Sequence, residues 1–566
     1  MSQDNGVHAE TGATSANNAN NASSASGTTG ATGATTDASL ASRAKNPKKH
    51  GPKWWLISLI AVIVACAVVI GVTVAYGKKS DSADASAKNM IADTVTIGLK
   101  LAPTNLDIRN TAGSALDQVL IGNVYEGIVA RDSKNQVAPG LASSWEESKD
   151  GLTYTFHLNK NMSFSNGDKL DAEDVAWSIN ELIAKQYHDA DALTAVSKVE
   201  AKNADTVVMT LKTPNSNLLW TLTGRAGLVF DKDAKYDLKT QAVGSGPYTV
   251  AKFVENDSIT LKANDKYWGK NKAKTPTVVV KYLADDNAAV NALKSGDVQV
   301  LAPITETLAG PFKSDSANYT VKAGNGTDKY VLGFNNASGS KLADKRIRQA
   351  IRYAINHKEI IASRGGADKA LGGPIPSLDP GYEDLTKLYP YDQAKAKSLM
   401  AEAGYSTDKP LELSLTYANI YGTELGDQLR SQLKPIGIDL KVNVVEFSTW
   451  LQDVYTNHDF DISLVDHNES HDFYSWADPT YYFGYDNADV QKLYNEGVAA
   501  TTDKERDAKF AEAAKLISED APADWLFNYR ITTVTAKGVK GFPFDLNQTV
   551  LPLYNVTYSL AEFSQK

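Results

Sequence analysis

The stretch "VDHNESHD", Val465 to Asp472, gathers two histidines four residues apart, His467 and His471, with three carboxylates, Asp466, Glu469 and Asp472. The chain holds 8 histidines in 566 residues, so this pair concentrates ionisable side chains in one short loop. Three readings are open. Two histidines at i and i+4 on a helix can share a zinc ion. "HNESH" carries its glutamate at the third position, however, matching neither H-E-x-x-H nor H-x-x-E-H, and Asn468 and Ser470 favour turns. The second reading is a surface loop of self-neutralising charges. The third is a loop lining a ligand cleft, with its acids meeting a cation. It follows the strand-like run "FDISLV", and open α/β sheets bind ligands beyond the carboxyl ends of their strands.

Elsewhere the sequence offers little for covalent chemistry. It has no G-x-S-x-G elbow and no G-x-x-x-x-G-K-[ST] loop, and "GSGP" at Gly244 to Pro247 reads as a turn. The single cysteine, Cys66, rules out an intrachain disulfide and a cysteine-based zinc site. A net charge of -9 argues against a nucleic-acid partner. The length suggests about three or four domain-sized units. No enzyme activity and no cofactor are expected; a metal-dependent peptidase built on "HNESH" would need a third ligand and a general base.

The elements that must position the loop are mixed throughout, so the class is α/β. "DTVTIGL", "LTYTFHL", "LELSLTY", "GIDLKVNVV" and "FDISLV" read as strands, and "ELGDQLRSQLKPIG" as a helix. "LDAEDVAWSINELI" predicts a helix capped by Asp171, with Asp174 near a capping-box position and Val175, Ile179, Leu182 and Ile183 on one face. "LADKRIRQAIRYAINHKEII" repeats that pattern, with Asp344 as cap and Ile347, Ile351, Ala354 and Ile355 inward.

Residues 1–53 hold few large apolar side chains, end in a basic cluster at Arg43, Lys45, Lys48, Lys49 and Lys53, and read as a disordered cytoplasmic tail. Residues 54–76, "WWLISLIAVIVACAVVIGVTVAY", carry no charge and are long enough to span a bilayer, with Trp54, Trp55 and Tyr76 at the ends. The basic cluster before them places the N-terminus in the cytoplasm and the rest outside, as in a Gram-positive cell-membrane protein. Lipidation at Cys66, whose "IVAC" context loosely resembles a lipobox, and a cleaved signal peptide are the rival readings. Residues 77–93 form a polar linker.

One long stretch is more specific than any of these features. It is "VYEGIVARDSKNQVAPGLASSWEESKDGLTYTFHLNKNMSFSNGDKLDAEDVAWSI", followed in order by "GSGPY", "NDKYWG", "ALKSGDVQV", "GFNN", "DKRIRQAIRYAIN", "KAKSLMAEAGY" and "LKPIGIDL". These resemble the family 5 extracellular solute-binding proteins, the oligopeptide and dipeptide receptors of ABC importers, over roughly residues 94 to 566. The resemblance implies a two-lobed fold of the periplasmic-binding-protein type (type II, cluster C), with an inserted subdomain and a cleft that closes by hinge motion. Lobe I would be residues 94–126, 241–330 and 530–566, the inserted subdomain 127–240, and lobe II 331–529. The implied partners are a peptide ligand and the ABC permease subunits with their ATPases, around a monomeric receptor.

The resemblance also implies a site. An acid in the loop after "FDISLV" pairs with the peptide's α-ammonium, which points to Asp466, Glu469 or Asp472, beside His467, Asn468 and His471. Dipeptide receptors carry a carboxylate-binding Arg near the position of Thr416 and Tyr417, and no Arg stands there. A longer peptide, or a different ligand, is therefore implied, with Tyr417, Asn419, Tyr421 and Trp450 as stacking or hydrogen-bonding candidates. From the facing lobe Asn105 and Asp107 are candidates, and Trp476 and Tyr481 follow the cleft loop. Some members of the family bind nickel or a metal chelate, which His467 and His471 keep open as an alternative.

Overall fold

The structure is a computed structural model that describes residues 91–111 and 113–560. The expected membrane segment 54–76, the tail, Cys66 and most of the linker lie outside the described residues. Among the described residues no helix is long and apolar enough to cross a membrane.

Local signals in the sequence set most elements. Asp171 caps the helix Ala172–Lys185 in a full capping box with Asp174, and Val175, Ile179 and Leu182 are buried. Asp344 caps Lys345–Ala354, burying Ile347, Ile351 and Ala354. The pattern through Ile361 does not run as one helix. Ile355 is extended, and the side chain of Asn356 accepts from the Glu359 amide to start a second helix, His357–Ser363. An asparagine that satisfies its own neighbours' amides competes with helix continuation. Arg364 follows the end of that second helix.

Seven strands form one sheet in the order Tyr319–Ala323, Thr532–Ala536, Val300–Leu301, Thr94–Leu99, Thr277–Tyr282, Ser258–Ala263, Tyr248–Val254. Thr94–Leu99 runs parallel to both of its neighbours. Five strands form a second sheet in the order Ile438–Val445, Leu411–Ala418, Ile462–His467, Lys329–Phe334, Ala523–Asn528. A four-stranded antiparallel sheet, covered by the helix Ala172–Lys185, lies between the first and second visits of the chain to the seven-stranded sheet. The chain passes between the two large sheets twice, from Ala323 to Lys329 and from Asn528 to Thr532. These two connections are tied together: the Gly324 amide donates to the Ile531 carbonyl and the Tyr529 amide to the Asp328 carbonyl.

The turn "GSGP" is explained by close approach. A Cβ on Gly244 would come within 1.9 Å of the Val124 carbonyl, so only glycine lets the two backbones touch.

Candidate functional site

In the five-stranded sheet Leu411–Ala418 is parallel to Ile438–Val445 and to Ile462–His467, so their carboxyl ends share one edge. Lys329–Phe334 runs antiparallel and brings its amino end there. Asp466 and His467 are the last two residues of their strand rather than the start of the loop. Side chains alternate along a strand, so the pair faces opposite ways.

Tyr330 sits opposite both Asp466 and Phe527 in the register, which puts the three on one face. Tyr330 stacks on Phe527 with centroids 4.6 Å apart and meets Tyr421 edge-on at 5.7 Å. The Asp466 amide donates to the Tyr421 hydroxyl over 3.0 Å. Oδ1 of Asp466 is sealed from solvent and has no hydrogen-bond partner. Burial pushes this carboxyl well above the usual range, the charge of Asp328 adds to the shift, and Lys329 and Arg364 oppose it. Burial likewise pushes Asp328 up to about 6.

The other face holds Lys329 and His467, opposite each other in the register. Lys329 Nζ stands 3.1 Å from Asp472 Oδ1 and donates to the Thr327 and Glu469 carbonyls. His467 Nε2 lies 3.1 Å from the Tyr482 hydroxyl. Burial lowers its imidazole to about 3, so it stays neutral. His471, in the left-handed region at φ 61, stacks on Trp220 at 4.0 Å, and its amide donates to Asp379. Burial holds it at about 4.

The candidates of the loop therefore separate. Asp466 faces the aromatic side with an unmet acceptor. Asp472 is spent on Lys329, and Glu469 is exposed. Asn468 contributes a carbonyl to Thr327. His467 and His471 point to different partners, and among the described residues no three His, Cys, Asp or Glu side chains gather as metal ligands.

Other candidates fall elsewhere. Tyr417 is wholly buried in the core, against Gly426, instead of facing a cleft, because odd positions of its strand face the helix layer. Trp476 stacks on Phe483 at 4.4 Å inside a second core, with Tyr481 packed at that core's margin. Asn105 and Asp107 turn into their own loop: Asn105 Oδ1 accepts from the Asp107 amide, and Asp107 Oδ1 from the amides of Arg109 and Asn110. Asn419 is exposed at the sheet edge in the turn Asn419–Tyr421.

Sequence reasoning missed Tyr330, Asp328 and Arg364, and with Arg364 its partner Asp368, which accepts from Arg364 Nε over 2.7 Å. The alternation in "DKYVLGF" carries Asp328 and Tyr330 on one side, a usable signal; nothing local marks Arg364 or Asp368.

Residues 136–491 match the model of the bacterial extracellular solute-binding proteins, family 5 Middle. The oligopeptide-binding protein AppA of Bacillus subtilis is 24% identical over 544 residues, covering 88% of this chain and 97% of the relative. The periplasmic murein peptide-binding protein MppA of Escherichia coli is 24% identical over 493 residues, covering 79% and 90%. Among solved structures, the ABC transporter substrate-binding protein CtaP of Listeria monocytogenes superposes with a TM-score of 0.75 at 22% identity, covering 83% of this chain and 100% of that one. The fold is therefore the two-lobed α/β fold of periplasmic binding proteins.

Proposed function

The chain belongs to the bacterial extracellular solute-binding proteins of family 5, and on that premise we propose that it is the peptide receptor of an ABC importer. It binds a peptide between its two lobes, closes by hinge motion about the connections 323–329 and 528–532, and hands the ligand to a permease driven by its ATPases. Lobe I comprises 94–126, 241–330 and 530–566 with the insertion 127–240, and lobe II comprises 331–529. The body stands outside the cell, tethered by residues 54–76, and carries out binding without catalysis.

The observation that carries this reading is Asp466. A carboxyl oxygen sealed from water with no partner is costly unless a ligand supplies a donor, and a ligand ammonium would favour the ionised form that burial disfavours. Asp466 stands at the carboxyl edge of parallel strands, where α/β folds take ligands, beside the phenols of Tyr330 and Tyr421. A peptide α-ammonium fits that geometry, with stacked rings flanking its first residue. Glu469, exposed on the same loop, tunes approach rather than contact.

Calorimetry of the purified chain with defined peptides tests the reading. Asp466→Asn should weaken a free-amine peptide by tenfold or more, about 1.4 kcal/mol. Equal binding by the wild type and Asp466→Asn would remove Asp466 from the site. Failure of every peptide would remove the peptide assignment itself.

A further inference from the structure

We infer that His471 is a proton-operated latch between residues 127–240 and lobe II: the molecule closes on the neutral imidazole, and a proton taken up by that ring parts the two. The inference rests on the receptor role proposed above, because closure is what retains the ligand.

The segment 127–240 meets lobe II through a polar contact. Asn135 Nδ2 donates to Asp379 Oδ1 over 2.9 Å and to Ser470 Oγ over 2.8 Å. The Ser216 amide and hydroxyl reach the carbonyls of Val498 and Gly497. Trp220 stacks on His471 with centroids 4.0 Å apart, and the Arg131 guanidinium lies 5.8 Å from the same indole. Asn217 shares a small cavity with Asp379, His471 and Asp472. Asn135 Oδ1, Asn217 Oδ1, Trp220 Nε1 and Arg131 Nε, all on the 127–240 side, are sealed from solvent without a hydrogen-bond partner. Each lost partner works against the contact, so it is a weak one that a single buried charge can undo.

The imidazole is built into this contact in its neutral form. The Ser470 hydroxyl donates to Asp379 Oδ1 over 2.5 Å and stands 2.8 Å from His471 Nδ1, so Nδ1 carries the ring hydrogen and an added proton goes to Nε2. Asp379 is the acid facing the ring, 3.7 Å from Nδ1, but its oxygens already accept from Asn135, Ser470 and the His471 amide. Asp472, next in the chain, is paired with Lys329, and Glu469 is exposed. Against these stand three cations: Arg131 at the end of Val129–Arg131, Arg506 from the helix Asp503–Asp520 and Lys329 from Lys329–Phe334. Trp220, Asn217 and Tyr494 bring no charge. Burial, with the three cations behind it, outweighs Asp379 and holds the imidazole at about 4, whereas a histidine in water titrates near about 6.5. Parting removes Trp220 and Arg131 and lets water reach the ring. Between about pH 4 and 6.5 the parted form therefore holds a proton that the closed form lacks, and closure weakens as pH falls through that window. From pH 7 to pH 5 the two values give about a twentyfold loss. Asp472, pushed up to about 7 by burial, tilts the profile the other way, so the contribution of His471 is read as a difference between proteins that share Asp472.

The test uses the full chain in detergent, with one dye on each side of the contact at exposed positions, Glu146→Cys and Lys492→Cys, and Cys66→Ser to keep the labelling unique. Energy transfer reports the ratio of closed to parted molecules. Retention of an equimolar random tripeptide pool after gel filtration, read by native mass spectrometry, reports binding. With His471 in place the ratio should fall about twentyfold from pH 7 to pH 5, and with His471→Gln by about threefold at most. A histidine that merely packs would give His471→Gln a lower ratio at both pH values and an unchanged slope, which would overturn the inference. If His471→Gln fails to fold, Trp220→Ala leaves the imidazole in water in both forms, and its slope should be equally flat. Retained peptides with a ratio that does not fall would overturn the latch and leave the receptor role standing. A falling ratio with no peptide retained at either pH would overturn the receptor role and leave the proton-driven parting standing.

Discussion

Lys329 shows how a single residue decides which acid of the loop is available. Its side chain is 2% exposed and its ammonium is shared by Asp472 and two carbonyls. Lys329→Met would leave the Asp472 carboxylate buried without a counter-charge, which costs about 3–5 kcal/mol. Urea denaturation at pH 7 checks this, and a loss under about 1 kcal/mol would show that Lys329 is not what holds Asp472 in place. Asp466, on the opposite face of its strand, has one carboxyl oxygen with no such partner. The identities of three acids in one short loop were plain in the sequence, but that Asp472 is the paired one depends on Lys329, from a distant strand.

At the scale of elements, Glu126 joins three segments. It accepts from the Tyr267 hydroxyl at 2.8 Å, the Ser245 hydroxyl at 2.8 Å and the Trp268 indole at 3.2 Å. These residues belong to the motifs "YEG", "GSGPY" and "NDKYWG", so separate fragments of the sequence pattern meet at one carboxyl. Burial pushes Glu126 from 4.5 up to about 7. The folded state therefore holds its proton more tightly than the unfolded chain. Its contribution to stability is full below about 4.5 and is lost as pH rises through 7. Glu126→Gln keeps an acceptor and carries no charge. It should flatten the fall in Tm between pH 5.5 and 8, with a gain at pH 8 of up to about 3 kcal/mol. A variant whose Tm follows the wild-type pH profile would refute the role.

Across the whole molecule, the loop that follows Ile462–His467 is held by residues far earlier in the chain. Asn135, in the hairpin turn between Val129–Arg131 and Val137–Pro139, donates to Asp379 and to Ser470, and Trp220 stacks on His471. The Ser216 amide and hydroxyl reach the carbonyls of Val498 and Gly497. The loop that offers Asp466 at one end is thus clasped by residues 127–240 at the other. Trp220→Ala removes a stacked pair worth about 1 kcal/mol without touching the proposed ligand atoms. Peptide release measured by stopped flow should quicken about fivefold, and an unchanged release rate would separate this contact from closure.

The sequence by itself determined the α/β class, the strands "DTVTIGL" and "FDISLV", the capped helices at Asp171 and Asp344 and, through ordered motifs, the family. Those features are local: periodicity, caps and turns act within a few residues, so each is readable in place. The break at Asn356 was also local, but a side-chain cap inside an apolar stripe is easily read as continuation. Only the tertiary structure decided that Asp466 rather than Asp472 is unpaired, that Tyr417 and Trp476 belong to cores, and that Arg364 lies over Tyr330 and Phe527. Those outcomes depend on strand register and on which distant cation or ring fills the space beside each side chain. Register assigns faces by alternation and is fixed by pairing between segments far apart in the chain, so no short stretch contains it.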